Sequence, residues 1–435
     1  MPKLQRRQPR QATPTLVAIP ARDEADEIGP CLLALAKQTK QVDGVVLCLN
    51  NCRDDTASVV RAHAGRLPFP LSIIEETLPA ASANAGHARR IAMERAAAIA
   101  GHRGVLLTTD ADARVPPAWL AANLAAIMAG ADAVAGRAVI EPEGAKLIPC
   151  HLHAIDAREG AYATLLDEIC ALVDPDPADP WPRHDEESGA SVAVTVAAYR
   201  RAGGIPATAL GEDRAFFDSL RRVDARIRHA PEISVLVSAR VLGRAIGGMA
   251  DTMSRRIERP DPFLDHRLET ALDALRRVHM RRLLRDAWSG AANESLTPST
   301  RVVASFVSRP AQTGRLRYAK PRTGVGGRSD PALGGVLNAN HGQAMTHGSV
   351  IRPPGITSDA ARFCLSAERL AELLAAPCFG SAWAILEAES TVLRDRRKVP
   401  LEALARQTSR ARCIRDRLLR RLADRADSAI RVAAE

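Results

Sequence analysis

Short apolar, β-branched runs recur through the first half of the chain, and the segments between them have helical spacing. Residues 14–20 read PTLVAIP, residues 43–49 DGVVLCL, and residues 104–109 GVLLTT; Leu71–Ile74 and Ala133–Ile140 are further runs. Between the first two runs, Ile28, Cys31, Leu32 and Leu35 fall on one helical face. Residues 83–100 are an Ala-rich helical stretch, and Pro116-Pro117 opens a helix with Trp119, Leu120, Leu124, Ile127 and Met128. Strands alternating with helices over short loops dictate βαβ units and a doubly wound sheet. Ligands of such sheets sit at the carboxyl ends of the strands, where Asn50-Asn51 and Asp110 fall.

The pattern continues past a loop rich in Pro and Asp at residues 174–187. A strand is expected at Ala190–Val196, then a short helix, a turn at Gly203-Gly204, a helix opening at Gly211-Glu212-Asp213, and a strand at Ile233–Val237. After about residue 250 the texture changes. Leu264, Leu268, Leu272 and Leu275 repeat at four- and three-residue steps, which predicts a helix. Residues 290–357 have little periodicity and read as a linker or loop. From Thr357 the chain reads as helical again and ends in an Arg-laden helix after Pro400. The expected division is a basic tail (1–13), a catalytic unit (14–250), a helical segment (251–289), the linker (290–357) and a C-terminal helical region (358–435).

Composition narrows the classes. With 46% hydrophobic and 25% charged residues the chain is neither collagen-like, disordered nor a disulfide scaffold. Its net charge of +10 points to an anionic partner. Nucleic acid is disfavoured, because no basic stripe interleaves with aromatics, which make up 3% of the chain. The eight cysteines form no C-x-x-C pair, so zinc of the usual spacing is unsupported and reduced thiols in a cytosolic protein are expected. No run approaches ~20 apolar residues, so no transmembrane segment is expected. The run Leu16–Ile19, after basic Arg6, Arg7 and Arg10, is too short for a signal-peptide core. The expected location is cytoplasmic, with peripheral contact at the inner face of a membrane left open.

Four constellations carry chemistry. Asp110-Ala111-Asp112 follows a buried run; two carboxylates there suit a divalent cation that clamps a diphosphate, although Asp also ends strands for turn reasons. Glu212-Asp213 at a helix start suits a general base, although two acids there also satisfy the helix dipole. Ile19-Pro20-Ala21-Arg22-Asp23-Glu24 leads from a strand to a helix, and Asn50-Asn51-Cys52-Arg53-Asp54-Asp55-Thr56 is by itself a turn.

Each motif is weak alone; in this order and register they are strong. Residues 14–240 resemble a family 2 glycosyltransferase of the GT-A fold, through VAIPARDEADEI, LNNCRDDT, TTDADARVPPAW, and SGASVAVTVAAYRRAGG followed by LGEDRAFFDSLRR. The resemblance implies a Rossmann-like mixed sheet flanked by helices, here with a mostly helical C-terminal extension. It implies a nucleotide-diphosphate sugar as donor and a hydroxyl acceptor of unknown identity. Pro20, Ala21 and Glu24 would line the base and ribose. Asn50 stands where the family often has a base-reading Asp. Asp54 would support the loop, and Arg89 resembles the basic residue of the helix flanking the nucleotide. Asp110 would contact ribose or metal and Asp112 the metal, Mg²⁺ or Mn²⁺. Asp213 would be the base, with Glu212 orienting the acceptor and inversion at the anomeric carbon.

Arg240 and Arg244, just after the last sheet strand, are candidates for closing over the diphosphate; a surface role is equally open. Trp181 in the acidic loop is a candidate acceptor lid, since Trp stacks on sugars, and Ser188 and Gly189 belong to the same acceptor side. His87, His151 and His153 read as capping, packing or surface residues, and His229 as a weaker phosphate or metal candidate. The rival readings are a retaining transferase of the same fold, a nucleotidyltransferase, which lacks its Gly-rich opening here, and a non-catalytic nucleotide-sugar-binding protein. A dehydrogenase is disfavoured, because no G-x-G-x-x-G follows the first strand.

Overall fold

The computed structural model describes residues 13–240, 249–259, 261–290, 366–394 and 396–434. The predicted alternation is present. Strands β1 (Thr15–Ala21), β2 (Gly44–Asn50), β3 (Leu71–Glu76) and β4 (Val105–Thr108) alternate with helices α1 (Ile28–Ala36), α2 (Thr56–Ala64) and α3 (Ala85–Ala100). Then come α4 (Trp119–Met128), β5 (Ala133–Ile140), α5 (Pro142–Ala145), α6 (Cys150–Val173), β6 (Val192–Thr195), α7 (Val196–Arg201), α8 (Glu212–Arg222) and β7 (Ile227–Val237). The seven strands form one sheet in the order β3-β2-β1-β4-β6-β5-β7. All neighbours are parallel except β6, which runs antiparallel to both β4 and β5.

Strand alternation divides the core between the two sheet faces. Val17, Ile19, Leu47 and Leu107 bury against Cys31, Leu32 and Leu35 of α1 and Trp119 and Leu120 of α4. Leu16, Ala18, Val46 and Leu106 face the other way, onto Ala92, Met93 and Ala96 of α3 and Phe216, Phe217 and Leu220 of α8. The small alanines let α3 lie close to the sheet. That places its N-terminus beside the carboxyl ends of β1 and β4.

Beyond the sheet are α9 (Met249–Glu258), α10 (Ala271–Gly290), α11 (Ala367–Ala375), α12 (Phe379–Glu389), α13 (Thr391–Arg394) and α14 (Leu404–Ala434). Tyr162, Leu165, Leu166 and Ile169 of α6 pack on Ala271 and Ala274 of α10 and on Leu404 and Ala411 of α14. Asp224, after α8, caps α12, accepting from Phe379 N at 3.1 Å and Gly380 N at 2.7 Å. The helical extension is thus joined to the sheet domain on two sides.

One expectation is corrected. The leucine spacing from Leu264 does not begin a helix. Leu264 N donates to Val399 O at 2.9 Å, and Leu264 and Leu268 are buried against the segment before α14. The helix starts at Ala271, where Thr270 Oγ1 accepts from Asp273 N at 3.2 Å. The 24-residue α6 is not anticipated by the sequence reading. The basic tail up to residue 12 and the expected linker from residue 291 lie outside the described residues.

Candidate active site

The loops after β1 and β2 are tied together. Asp23 turns at φ +53°, and its Oδ1 accepts from Arg53 N at 2.6 Å. Asp54 Oδ2 accepts from Ala25 N at 3.0 Å, and Thr56 Oγ1 accepts from Glu24 N at 2.8 Å. Pro20 and Ala21 are buried at the end of β1. Asn50 ends β2 at 1% exposure. Its Nδ2 donates to Asn84 O at 3.2 Å, while its Oδ1 is buried without a partner. Buried carbonyl oxygens of this kind are normally paired.

Arg89 lies on the inner face of α3, 4% exposed. Its Nη2 donates to Asp110 Oδ1 at 2.6 Å, and its Nε to Glu212 Oε1 at 3.3 Å. Its Nη1 donates to Thr108 Oγ1 at 2.8 Å and to Gly189 O at 2.9 Å. Burial alone disfavours its charge, but the carboxylates of Asp110 and then Glu212 outweigh that and raise its pKa. Arg89, expected on the helix flanking the nucleotide, makes four hydrogen bonds to protein groups here. Gly189 is required at its position, because a Cβ there would lie 2.7 Å from Arg89 Cζ.

Arg240 makes the second bridge. Its Nη1 and Nη2 donate to Glu24 at 2.8 and 2.7 Å, and Nη2 lies 3.1 Å from Asp112 Oδ2. Asp112 is pushed up to about 7, first by burial and then by the charge of Asp110. Arg244 lies outside the described residues.

Asp213 opens α8. Its Oδ2 accepts from Gly189 N at 3.0 Å and its Oδ1 from Arg214 N at 2.8 Å. Gly189 therefore touches both Arg89, through its carbonyl, and Asp213, through its amide. Ser188 Oγ accepts from Ala190 N at 3.2 Å and shapes the same turn. Trp181 stands 39% exposed on a loop outside this network. Arg228 holds that loop through Pro180 O at 2.6 Å, Arg183 pairs with Asp167 at 2.7 Å, and Asp179 Oδ2 lies 2.8 Å from His229 Nδ1. His229 is thereby engaged by the loop.

Asp110 and Asp112 offer hard oxygen donors at alternate positions after β4. The charge of Asp110 that raises Asp112 is what a divalent cation would relieve, so the donor set fits one with water completing its shell. Among the described residues, one group of three side chains has ligand atoms close enough to share an ion: Asp23, Cys52 and Asp54. Its donors are otherwise engaged: Asp23 and Asp54 hold loop amides, and burial raises the Cys52 thiol.

The sequence reading missed Thr108 and Asn84 as parts of the site. Their positions carried a signal, since Thr108 ends β4 two residues before Asp110 and Asn84 caps α3. The Glu24–Arg240 pair had none, because 216 residues separate its members.

Residues 16–169 match the family described as glycosyl transferase family 2. No curated protein matches the chain. Among solved structures, S. aureus TarS residues 1–349 with UDP-GlcNAc aligns at 16% identity and TM-score 0.40, covering 67% of this chain and 79% of that one. A Pyrobaculum calidifontis mannosyltransferase with GDP-Man and Mn²⁺ aligns at 18% identity and TM-score 0.36, covering 67% and 68%. Mycobacterium tuberculosis glucosyl-3-phosphoglycerate synthase with Mn²⁺, UDP and phosphoglyceric acid aligns at 15% identity and TM-score 0.33, covering 57% and 76%.

Proposed function

Over residues 16–169 the chain is a family 2 glycosyltransferase, and from that premise we propose that it moves a sugar from a nucleotide-diphosphate donor to an acceptor hydroxyl with inversion. The observation that carries this reading is the double engagement of Gly189. Its carbonyl accepts from Arg89, which holds Asp110, and its amide donates to Asp213. One residue thus links the donor-side acid to the acid assigned as base.

Asp213 takes the proton of the acceptor hydroxyl as that oxygen attacks the anomeric carbon. The amides of Gly189 and Arg214 fix the direction of its carboxylate. Glu212 is held by Arg89 and supports the start of α8 rather than facing the acceptor freely. Asp110 and Asp112 would hold Mg²⁺ or Mn²⁺, which when bound supplies positive charge against the leaving diphosphate. Arg240, released from Glu24 and Asp112, adds a second cation on the same side.

Pro20, Ala21, Glu24 and Asp54 frame the nucleotide pocket. Asn50 reads the base edge: with Nδ2 committed to Asn84, Oδ1 serves as acceptor for a ring N–H, as uracil, thymine or guanine presents. Residues 14–250 form the catalytic unit in this reading, with Trp181 and Ser188 on the acceptor side. Among the described residues no helix is long and apolar enough to cross a membrane. The unit is assigned to the cytoplasm, with any membrane contact peripheral.

The test is thermal stability with UDP, GDP, ADP and dTDP, each with and without Mn²⁺, for the wild type and Asp112→Asn. A ligand at ~100 times its dissociation constant stabilises by ~2.7 kcal/mol. The expected result is a cation-dependent shift lost in Asp112→Asn. A shift that needs no cation assigns the charge role to Arg240. No shift with any nucleotide overturns the donor assignment.

A further inference from the structure

Three arginines serve the carboxylates on the donor side of the site. Arg89 takes Asp110 at 2.6 Å, and Arg114 takes Glu27 at 2.6 Å. Arg240 serves two acids at once. Its Nη1 and Nη2 donate to the two oxygens of Glu24, and Nη2 also lies 3.1 Å from Asp112 Oδ2. The side chains of Glu24 and Asp112 are 7% and 15% exposed, so both depend on a nearby positive charge.

Arg89 and Arg240 are held in different ways. Arg89 is locked by Thr108 Oγ1 and the Gly189 carbonyl as well as by its acids. Among the described residues, the Arg240 guanidinium bonds to Glu24 and Asp112 only. Its side chain is 28% exposed, and it stands past the end of β7 rather than inside an element. Arg89 is thus a fixed part of the frame, whereas Arg240 stays where it is through the two carboxylates.

That position matters for a metal. A divalent cation on either oxygen of Asp112 would meet the guanidinium at close range as a like charge. The two cations are therefore alternatives at this carboxylate. A diphosphate offers Arg240 another partner, because a guanidinium forks onto phosphate oxygens as it does onto a carboxylate. We propose that Arg240 is a built-in competitor of the metal, barring Mg²⁺ or Mn²⁺ from Asp112 until the diphosphate of a donor draws the guanidinium away. Metal and nucleotide then bind as a pair, each tightening the other by the same factor. The device rests on the glycosyl-transfer reading of the site.

The test is Mn²⁺ binding to the full chain, read from the electron paramagnetic resonance signal of the free ion. It is run without nucleotide and with UDP, GDP, ADP or dTDP. The wild type is expected to bind Mn²⁺ weakly alone and more tightly with a diphosphate that it accepts. Arg240→Gln is expected to bind Mn²⁺ alone roughly five- to a hundredfold more tightly, with a smaller further gain from nucleotide. Arg240→Lys should fall between the two, because one ammonium cannot fork across Glu24 and Asp112. Adding Asp112→Asn should erase the gain, whereas an ion held by Asp23, Cys52 and Asp54 would ignore that change. Should Arg240→Gln fail to fold because Glu24 is stranded, Glu24→Gln in the same chain removes that charge and should show the same gain.

Three results would each overturn the proposal and leave the glycosyl-transfer reading in place: Mn²⁺ affinity unchanged or weaker in Arg240→Gln, a gain that survives Asp112→Asn, or nucleotide binding that Mn²⁺ does not strengthen. Failure of the wild type to bind any of the four diphosphates, with or without Mn²⁺, would overturn both.

Discussion

Arg89 meets Asp110 at 2.6 Å while only 4% exposed. The same guanidinium holds Glu212 at 3.3 Å, so removing it strands the mostly buried Glu212 and leaves the part-exposed Asp110 without its cation. Arg89→Ala should cost ~3–5 kcal/mol, the range for breaking a buried pair from one side. Arg89→Lys should recover only part of this, because an ammonium cannot reproduce the planar fork that reaches Asp110, Glu212, Thr108 and Gly189 together. Urea unfolding measures both. An alanine variant as stable as the wild type would show that the four bonds carry no net energy.

Asp213 is oriented by two backbone amides but is not tied to Arg89's guanidinium. Its substitution should therefore damage the chemistry and spare the fold. Asp213→Asn is expected to lower turnover by roughly a hundred- to ten-thousandfold. The thermal shift produced by donor nucleotide should stay unchanged. If turnover and nucleotide binding fall together, Asp213 belongs to the donor pocket and the base must be sought elsewhere.

In the glycosyl-transfer reading, the unpartnered Oδ1 of Asn50 is expected to set a base preference. Diphosphates of uracil, thymine or guanine should stabilise the protein more than ADP or CDP, whose ring nitrogens at the corresponding edge accept rather than donate. Asn50→Leu should erase this difference, worth ~1–3 kcal/mol as the cost of one buried polar group left unpaired. Calorimetric titration of the five nucleotides reads it directly, and equal affinity for ADP and UDP in the wild type would sink the idea.

The loop at residues 174–187 should loosen in acid in two stages. Burial, then the charge of His229, lowers His184 from its ordinary 6.5. The unfolded chain therefore takes up that proton first, and stability falls as the pH drops below about 6.5. Asp179 moves the other way relative to its charge. Burial pushes it up, but hydrogen bonding to His229 outweighs that and holds it below its ordinary 3.8. Its contribution is present above about 4 and is lost as the pH falls through the lower folded value. Hydrogen exchange over the loop at pH 7 and pH 5.5 should show reduced protection at the lower pH. His184→Gln should abolish that first stage and leave the second in place.

The sheet was legible because each strand carries its own burial signal. Val17, Ile19, Leu47 and Leu107 alternate with residues facing the other helices, and this needs no knowledge of distant partners. Two motif residues were legible for a related reason, since Asn50 ends β2 and Asp110 follows β4 by two residues. α6 was not. Its buried Tyr162, Leu165, Leu166 and Ile169 are interleaved with Glu and Asp, and the surfaces they meet lie in α10 and α14, far along the chain. The leucines from Leu264 misled for the same reason, since their partners begin at Val399. Arg89 could be placed beside the site from its motif, but its commitment to Glu212, 123 residues away, could not be read locally.

The Glu24–Arg240 bridge also orders events during synthesis. The first four strands and the helices between them are complete by Thr108, so that part of the sheet can form while the rest of the chain is still being made. Its nucleotide loop nevertheless lacks its closing cation until a residue 216 positions later has left the ribosome and β7 has docked at the far edge. A nascent chain stalled before Arg240 would therefore fold a sheet but present Glu24 and Asp112 without that guanidinium. In the glycosyl-transfer reading, the donor side of the site is complete only once Arg240 has joined it.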